Sequence, residues 1–247
     1  MTGGQLRVGI GGWSYAPWRG VFYPPGLPQA REFAHAVAHV TAIEINATFY
    51  GRQSPKSWEA WGRAAPDGFK FAVKGSRYVV TRKRLAEAGE GIGQFLDQGL
   101  TRLGDRLGPV LWMLARTRVF DRDDIAAFLA LLPDAHDGVP LRHVIEVRHD
   151  SFRNDAFVAL ARDRGVAISF DDDDDFPCID EATADFRYAR LQRMEEACPT
   201  GYPAADLDRW AAMGREWTSR GDAYLFMING AKVRAPAAAT AVLERLR

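Results

Sequence analysis

The sequence predicts a closed (β/α)8 barrel of the TIM type, a single α/β domain over residues 1–247. Three observations predict it. Eight short segments have the apolar character and period-two alternation of strands. Segments of helical character follow most of them, and this alternation requires parallel strands joined by helical crossovers. Eight such units in about 250 residues suit a closed barrel better than an open doubly wound sheet. Gly9, Gly11 and Gly12 after the first strand do not form G-x-G-x-x-G, which counts against a dinucleotide-binding sheet.

The elements follow in order. Leu6 to Ile10 is the first strand, ended by Gly11-Gly12. Trp13, Ser14, Tyr15 and Trp18 lie in an aromatic, proline-punctuated loop ending near Pro28, and a helix from Gln29 to His39 leads to a second strand at Ala42. There Ile43 and Ile45 face one way, Glu44 and Asn46 the other, and the run continues through Thr48, Phe49 and Tyr50 without a turn residue. Ser54 caps a helix to Arg63, with Pro55 at its first position. The third strand sets Phe69, Phe71 and Val73 against Lys70, Ala72 and Lys74. After a basic loop with Arg77, Arg82, Lys83 and Arg84, one long helix runs from Glu87 to Arg106. Pro109 to Leu114 is the fourth strand, and Asp121 caps a helix to Leu132. Arg142 to Val147 is the fifth strand, and Ser151 opens a helix to Asp163. Val166 to Phe170 is the sixth. A run of aspartates, Asp171 to Asp175, and an irregular stretch to Asp185 follow, with no convincing helix. Phe186 to Leu191 and Ala223 to Ile228 are the last two strands, followed by helices from Ala205 to Arg220 and from Pro236 to Leu246.

Hydrophobic residues make up 47% of the chain, which supports a sizeable core and excludes disorder. The 32 basic and 32 acidic residues cancel, which argues against a dedicated nucleic-acid binder. Cys178 and Cys198 make no CxxC, so neither a disulfide framework nor a zinc ribbon is expected, and a reducing compartment is the default. The N-terminus lacks the basic-then-apolar pattern of a signal peptide, and no stretch nears the roughly 18 apolar residues of a membrane span. These readings together describe a soluble, cytoplasmic protein.

In such a barrel the strand C-termini converge on one mouth, where the chemistry sits. Those positions hold Glu44 and Asn46, Lys74, Glu146, Arg148 and His149, Asp171, Arg190 and Gln192, and Asn229. Glu44 opposite two isoleucines makes sense in a barrel mouth, because an unpaired buried charge is costly; a half-exposed edge strand is the other reading. Glu44, Glu146 and Asp171 suit general acid/base catalysis, with Lys74 supplying positive charge. Lys74, Arg148 and Arg190 suit an anion, which arginine grips bidentately. The carboxylates with His149 could hold a divalent metal, but the three cations would repel it, so neither a metal nor a cofactor is assigned. Structural ion pairs at the barrel top remain the alternative for each residue taken singly. Arg148 beside Glu146 should keep that carboxylate ionised, a base or acceptor, which leaves Glu44 as proton donor if it is the more buried and less paired.

Other features carry two readings each. Trp13, Tyr15, Trp18, Phe49 and Tyr50 either form a stacking wall for a sugar or base, or simply pack the loop. The aspartate run lacks the glycine and distal glutamate of a calcium loop and reads as a solvated acidic loop. His35 and His39 have metal-binding spacing but no third ligand nearby. The basic residues from Arg77 to Arg84 either meet phosphates or stand in water.

The stretches VGIGGWSYAPWRGVFYP, EINATFY, W-E-A-W from Trp58, FKFAVKGSR and IEVRHDSF resemble, in order and spacing, the domain-of-unknown-function 72 (YecE-like) family. The resemblance covers most of the chain. It implies a TIM-type barrel of bacterial cytoplasmic proteins whose activity is not established. The family's E-x-N-x-T-F-Y falls on Glu44, Asn46, Thr48, Phe49 and Tyr50, its strand-three lysine on Lys74, and its E-x-R-H on Glu146, Arg148 and His149. The chain departs from the family at Thr81-Arg82 (usually T-H), at Met113 to Ala115 (Q-x-P), at Arg190 to Arg193 (R-x-H-G) and at Met227 to Asn229 (F-N-N). Two histidines and a glutamine are thereby lost from the mouth, which puts in doubt any mechanism through a strand-seven histidine.

Two functions follow. One is an enzyme acting on a small anionic or sugar-like substrate, by hydrolysis or by proton transfer next to a carbonyl. The other is a non-catalytic module for a phosphorylated ligand or single-stranded nucleic acid, disfavoured because a carboxylate cluster repels phosphates. The expected partner is a small, anionic ligand, with no membrane and nucleic acid disfavoured.

Overall fold

The computed structural model describes residues 3–247. The apolar runs form nine strands: β1 (Leu6–Gly11), β2 (Ala42–Ile45), β3 (Lys70–Lys74), β4 (Leu107–Met113), β5 (His143–Glu146), β6 (Ala167–Ile168), β7 (Phe170–Asp172), β8 (Phe186–Leu191) and β9 (Asp222–Met227). They pair in parallel in the order β6-β5-β4-β3-β2-β1-β9-β8-β7. The two ends of that order, β6 and β7, are consecutive in the chain and separated only by Ser169. They are two halves of one stave: β6 pairs with β5, and β7 with β8. Ser169 bridges the break by donating its N–H to Ile145 O at 2.9 Å. Eight staves therefore close a barrel, as the sequence predicts.

Strand parity divides the core in two. Val8, Ile10, Ile43, Ile45, Phe71, Val73, Trp112 and Ile145 face outward, into the layer packed by the helices. Ala42, Ala72, Leu111, Val144, Tyr188, Tyr224 and Phe226 form a separate cluster inside the barrel. The inner parity continues upward through Glu44, Lys74, Glu146 and Arg190, so these charged residues cap an apolar plug.

The helices are α1 (Glu32–His39), α2 (Ala47–Tyr50), α3 (Pro55–Ala64), α4 (Arg77–Val80), α5 (Gly89–Leu96), α6 (Arg122–Ala130), α7 (Asp155–Asp163), α8 (Ala204–Thr218) and α9 (Ala235–Arg245). Ser54 and Asp121 cap α3 and α6 as expected: Ser54 Oγ accepts from Ser57 N, and Asp121 Oδ1 from Asp123 N and Asp124 N. No helix of the described residues is long and apolar enough to cross a membrane.

Three local readings are corrected, and one element is added that the sequence reading did not name. The long helix to Arg106 is broken after α5, because Gly99 takes φ 98°, a left-handed conformation that continues no helix. The second strand ends at Ile45: Asn46 is helical and opens α2. Asn154, whose Oδ1 accepts from Ala156 N, caps α7, while Ser151 lies in a preceding 3-10 turn. A two-stranded hairpin, Ala135–His136 with Val139–Pro140, turns on Asp137-Gly138. Both turn residues have positive φ, the Asp-Gly turn signature.

Candidate functional site

The candidate site is the polar layer that closes the barrel lumen, and Arg190 on β8 is its centre. The side chain is 1% exposed and all its nitrogens are committed. Nε and Nη2 donate to Glu44 Oε2 and Oε1, both at 3.1 Å. Nη1 donates to Glu146 Oε2. One guanidinium thus ties β2, β5 and β8 together. Tyr188, two residues earlier on the same parity, donates its hydroxyl to Glu44 Oε2 at 2.6 Å. Burial and Glu44 hold that phenol far above its ordinary range, so it stays a donor. Arg148 donates Nε to the other oxygen of Glu146 at 2.6 Å, and its guanidinium lies 4.5 Å from the Phe176 ring centroid.

The environments of Glu146 and Asp171 diverge. Burial disfavours charge on Glu146, but Arg190, Arg148 and Lys74 outweigh it and hold its pKa below the ordinary value. Asp171 on β7 is pushed well above its ordinary value, first by burial and then by the neighbouring Glu146 charge. Its Oδ1 accepts from Ser169 Oγ at 3.3 Å and from Gln192 Nε2 at 3.2 Å. Its buried Oδ2 has no hydrogen-bond partner among the described residues. Gln192 is oriented in turn by Asn229, whose Nδ2 donates to Gln192 Oε1 at 2.6 Å. Asn229 has φ 57°, a backbone strain of the kind found at functional sites.

Lys74 ends β3 and is 9% exposed. Among the described residues its ammonium makes no ion pair and no side-chain hydrogen bond, and it lies 4.8 Å from the Phe49 ring centroid. Burial first, and then Arg190, push its pKa down to about 8; Glu44 and Glu146 oppose this without cancelling it. Thr48 positions Phe49: its hydroxyl donates to Ile45 O at 3.0 Å and to Lys74 O at 2.6 Å, fixing α2 to the end of β3. Lys74 and Arg148, 18% exposed, are the charged members of the layer that touch solvent.

Glu44, Glu146, Arg148 and Arg190 thus form one hydrogen-bonded cluster, Asp171, Gln192 and Asn229 a second beside it, and Lys74 stands near both without a bond to either among the described residues. The remaining sequence candidates stand around them. Asn46 donates to Glu44 O at 3.3 Å and sits half-buried beside the end of β1. His149 caps the turn at Asp150, its Nδ1 accepting from Ser151 N at 3.2 Å. Tyr50 is 74% exposed on the rim. Trp13 packs edge-on against Phe33 and Trp61 in the helical layer. The condition for Glu44 as proton donor is not met, since it is buried but doubly paired. Tyr188 was legible from parity with Arg190; nothing in the sequence placed Phe176 under Arg148.

No group of three or more His, Cys, Asp or Glu among the described residues is arranged to hold a metal ion. A separate open concavity of about 1010 Å³ lies between the loops after β3 and β4, lined in part by Arg82, Lys83 and Arg118. Two of its acids do structural work: Asp121 caps α6, and Asp124 accepts from Leu85 N and Ala86 N. Asp171 Oδ2 and the Lys74 ammonium, both unpartnered among the described residues, lie in the lumen, which makes the lumen the candidate site.

The comparisons agree with this architecture. A family model described as "Protein of unknown function DUF72" matches residues 7–247. Among curated proteins there is no significant match. A crystal structure of a DUF72 family protein from Thermotoga maritima is 22% identical, with a TM-score of 0.77 over 98% of each chain. One from Enterococcus faecalis is 15% identical, with a TM-score of 0.76 over 98% of this chain and 95% of that one. At these identities the likeness is one of fold.

Proposed function

The chain belongs to the DUF72 family, whose description assigns no function, and on that premise we propose an enzyme that acts on a small anionic or sugar-like substrate by acid/base chemistry at the barrel mouth. The observation that carries this reading is the divergence of two neighbouring carboxyl groups, Asp171 raised and Glu146 lowered. Titratable groups pushed apart by their surroundings are the mark of an assigned acid and base.

In this reading Asp171 enters neutral and donates its proton from Oδ2, the oxygen with no partner among the described residues. The carboxylate it leaves is stabilised by Arg190 and Arg148. Glu146 stays anionic and accepts a substrate hydroxyl or an acidified C–H. Where the layer meets solvent, Arg148 receives the anionic group of the substrate and Lys74 faces its reacting carbon. Arg190, with every nitrogen committed, serves as the internal counter-charge rather than as a clamp on the ligand.

A thermal-shift screen of small carboxylates, phosphates and sugars identifies ligands, because binding raises apparent stability. Hits are then assayed for turnover. Asp171→Asn should bind the hit and lose roughly 100-fold or more of turnover, the scale of a general acid. Wild-type protein that binds without turning anything over, or an Asp171→Asn variant with unchanged rate, overturns the reading.

A further inference from the structure

We propose that Lys74 is a covalent nucleophile that forms an imine with an aldehyde or ketone, which makes the substrate a small, anionic carbonyl compound. The inference rests on the acid/base reading of the same lumen and adds the bond that makes the reading chemically workable.

The difficulty it resolves is the weakness of the base. Two arginines and Lys74 hold Glu146 in its charged form, and a carboxylate stabilised in this way attracts a proton poorly. With so weak a base, taking a C–H beside a carbonyl needs strong stabilisation of the negative charge that develops. A C–H beside an iminium is far more acidic, because the cationic nitrogen takes up the electron pair. An amine able to form that iminium stands in the same lumen.

The geometry suits Lys74 to it. The residue is at the C-terminal end of a barrel strand and touches solvent. Its amine makes no ion pair with a carboxylate among the described residues, and it rests over Phe49. The backbone is held on both sides: Thr48 grips its carbonyl, and a side chain at Gly75 would meet the Trp112 ring at 2.4 Å. Burial and the Arg190 cation push the amine toward its neutral form, the usual means of making a lysine nucleophilic. Lys70, at the other end of β3, donates instead to Asp105 O.

The steps balance. The neutral amine attacks the carbonyl carbon, a C–N bond forms, and one N–H proton passes to the carbonyl oxygen to give a carbinolamine. Asp171 protonates that hydroxyl, the C–O bond breaks, water leaves, and the iminium forms while Asp171 becomes a carboxylate. Glu146 takes the adjacent C–H proton and the C–H electrons give the enamine. Reprotonation and hydrolysis return the amine, the carbonyl and the Asp171 proton. No oxidant or reductant is consumed.

The test traps the imine. The full chain is incubated at pH 8 with glyoxylate, pyruvate, glycolaldehyde or glycolaldehyde phosphate and sodium cyanoborohydride, and the reduced adducts are mapped by mass spectrometry. At least one probe should label Lys74 ten or more times faster than the exposed Lys56 and Lys83. Lys74→Arg, which keeps the positive charge, should abolish that adduct, and Asp171→Asn should slow its formation at least tenfold. Lys74 labelled no faster than the exposed lysines by every probe overturns the imine. If Asp171→Asn still loses turnover in that case, the acid/base reading stands alone; an unchanged Asp171→Asn rate with a Lys74 adduct removes the acid instead.

Discussion

Below about pH 8 the folded chain has to protonate an amine that burial and Arg190 both disfavour. The unfolded chain protonates the same lysine up to its ordinary value of 10.5. Between those two values the unfolded state binds more protons, so stability rises with pH. The stabilising contribution of Lys74 is complete above 10.5 and is lost as pH falls through about 8. Lys74→Met removes the penalty and should stabilise the protein at pH 7 by about 1–3 kcal/mol, since each tenfold weakening of proton binding is worth about 1.4 kcal/mol. For a chain of this size that is a rise in Tm of roughly 2–12 °C. Calorimetric melts at pH 7 and pH 10.5 check it: the gain should shrink at the higher pH, and a variant less stable than wild type at pH 7 would refute the argument. Asp171 is displaced the other way. Its raised value gives stability that is present below 3.8 and lost as pH rises through the folded value.

The element that arms Lys74 is α2. Its four residues follow directly on β2, and Thr48 anchors them to the backbone of both β2 and β3. Thr48 is buried, and its single hydroxyl proton is shared between Ile45 O and Lys74 O, so losing it removes a donor from that pair of carbonyls. Thr48→Val keeps the shape and should cost about 1–3 kcal/mol, seen as a Tm lower by several degrees. The same change frees Phe49 and should raise the Lys74 pKa from about 8, as followed by the pH dependence of lysine labelling. A melt and a labelling profile that both match wild type would show that α2 does not set this environment. Other elements differ in how legible they were. The Ser54 and Asp121 caps were readable because a cap is a contact within three residues. The Asp137-Gly138 hairpin carried a readable signal in its dipeptide. The break at Gly99 did not stand out because Gly89, Gly91, Gly93 and Gly104 lie in the same stretch, and each glycine lowers helix stability without forbidding the helix.

At the scale of the molecule, Arg190 is a tie across the barrel. It joins staves from three separate parts of the chain and neutralises two carboxylates that solvent does not reach. Removing one partner of a buried ion cluster strands the other charges, at about 3–5 kcal/mol. Arg190→Met should therefore lower Tm by roughly 6–20 °C, or prevent folding at neutral pH. Double replacement of the two carboxylates with glutamine in the Met background should recover part of the loss. An Arg190→Met protein that melts like wild type would mean the cluster does not hold the barrel together.

The staves, their parallel arrangement and the parity that sends Glu44, Lys74, Glu146 and Arg190 inward were legible in the chain alone, because these follow from spacings of two and from crossover connections within one stretch of chain. The family was legible too, through motifs that stand in order along most of the chain. Which charge meets which is settled by the closed barrel. Arg190 lies 146 residues from Glu44 and 44 from Glu146, and nothing local specifies that both carboxylates share its guanidinium. That sharing leaves Lys74 without a partner among the described residues and Asp171 beside a charge of its own sign. Protonation states are set by burial and by distances across the lumen, and these come into being only when the eighth stave closes the ring.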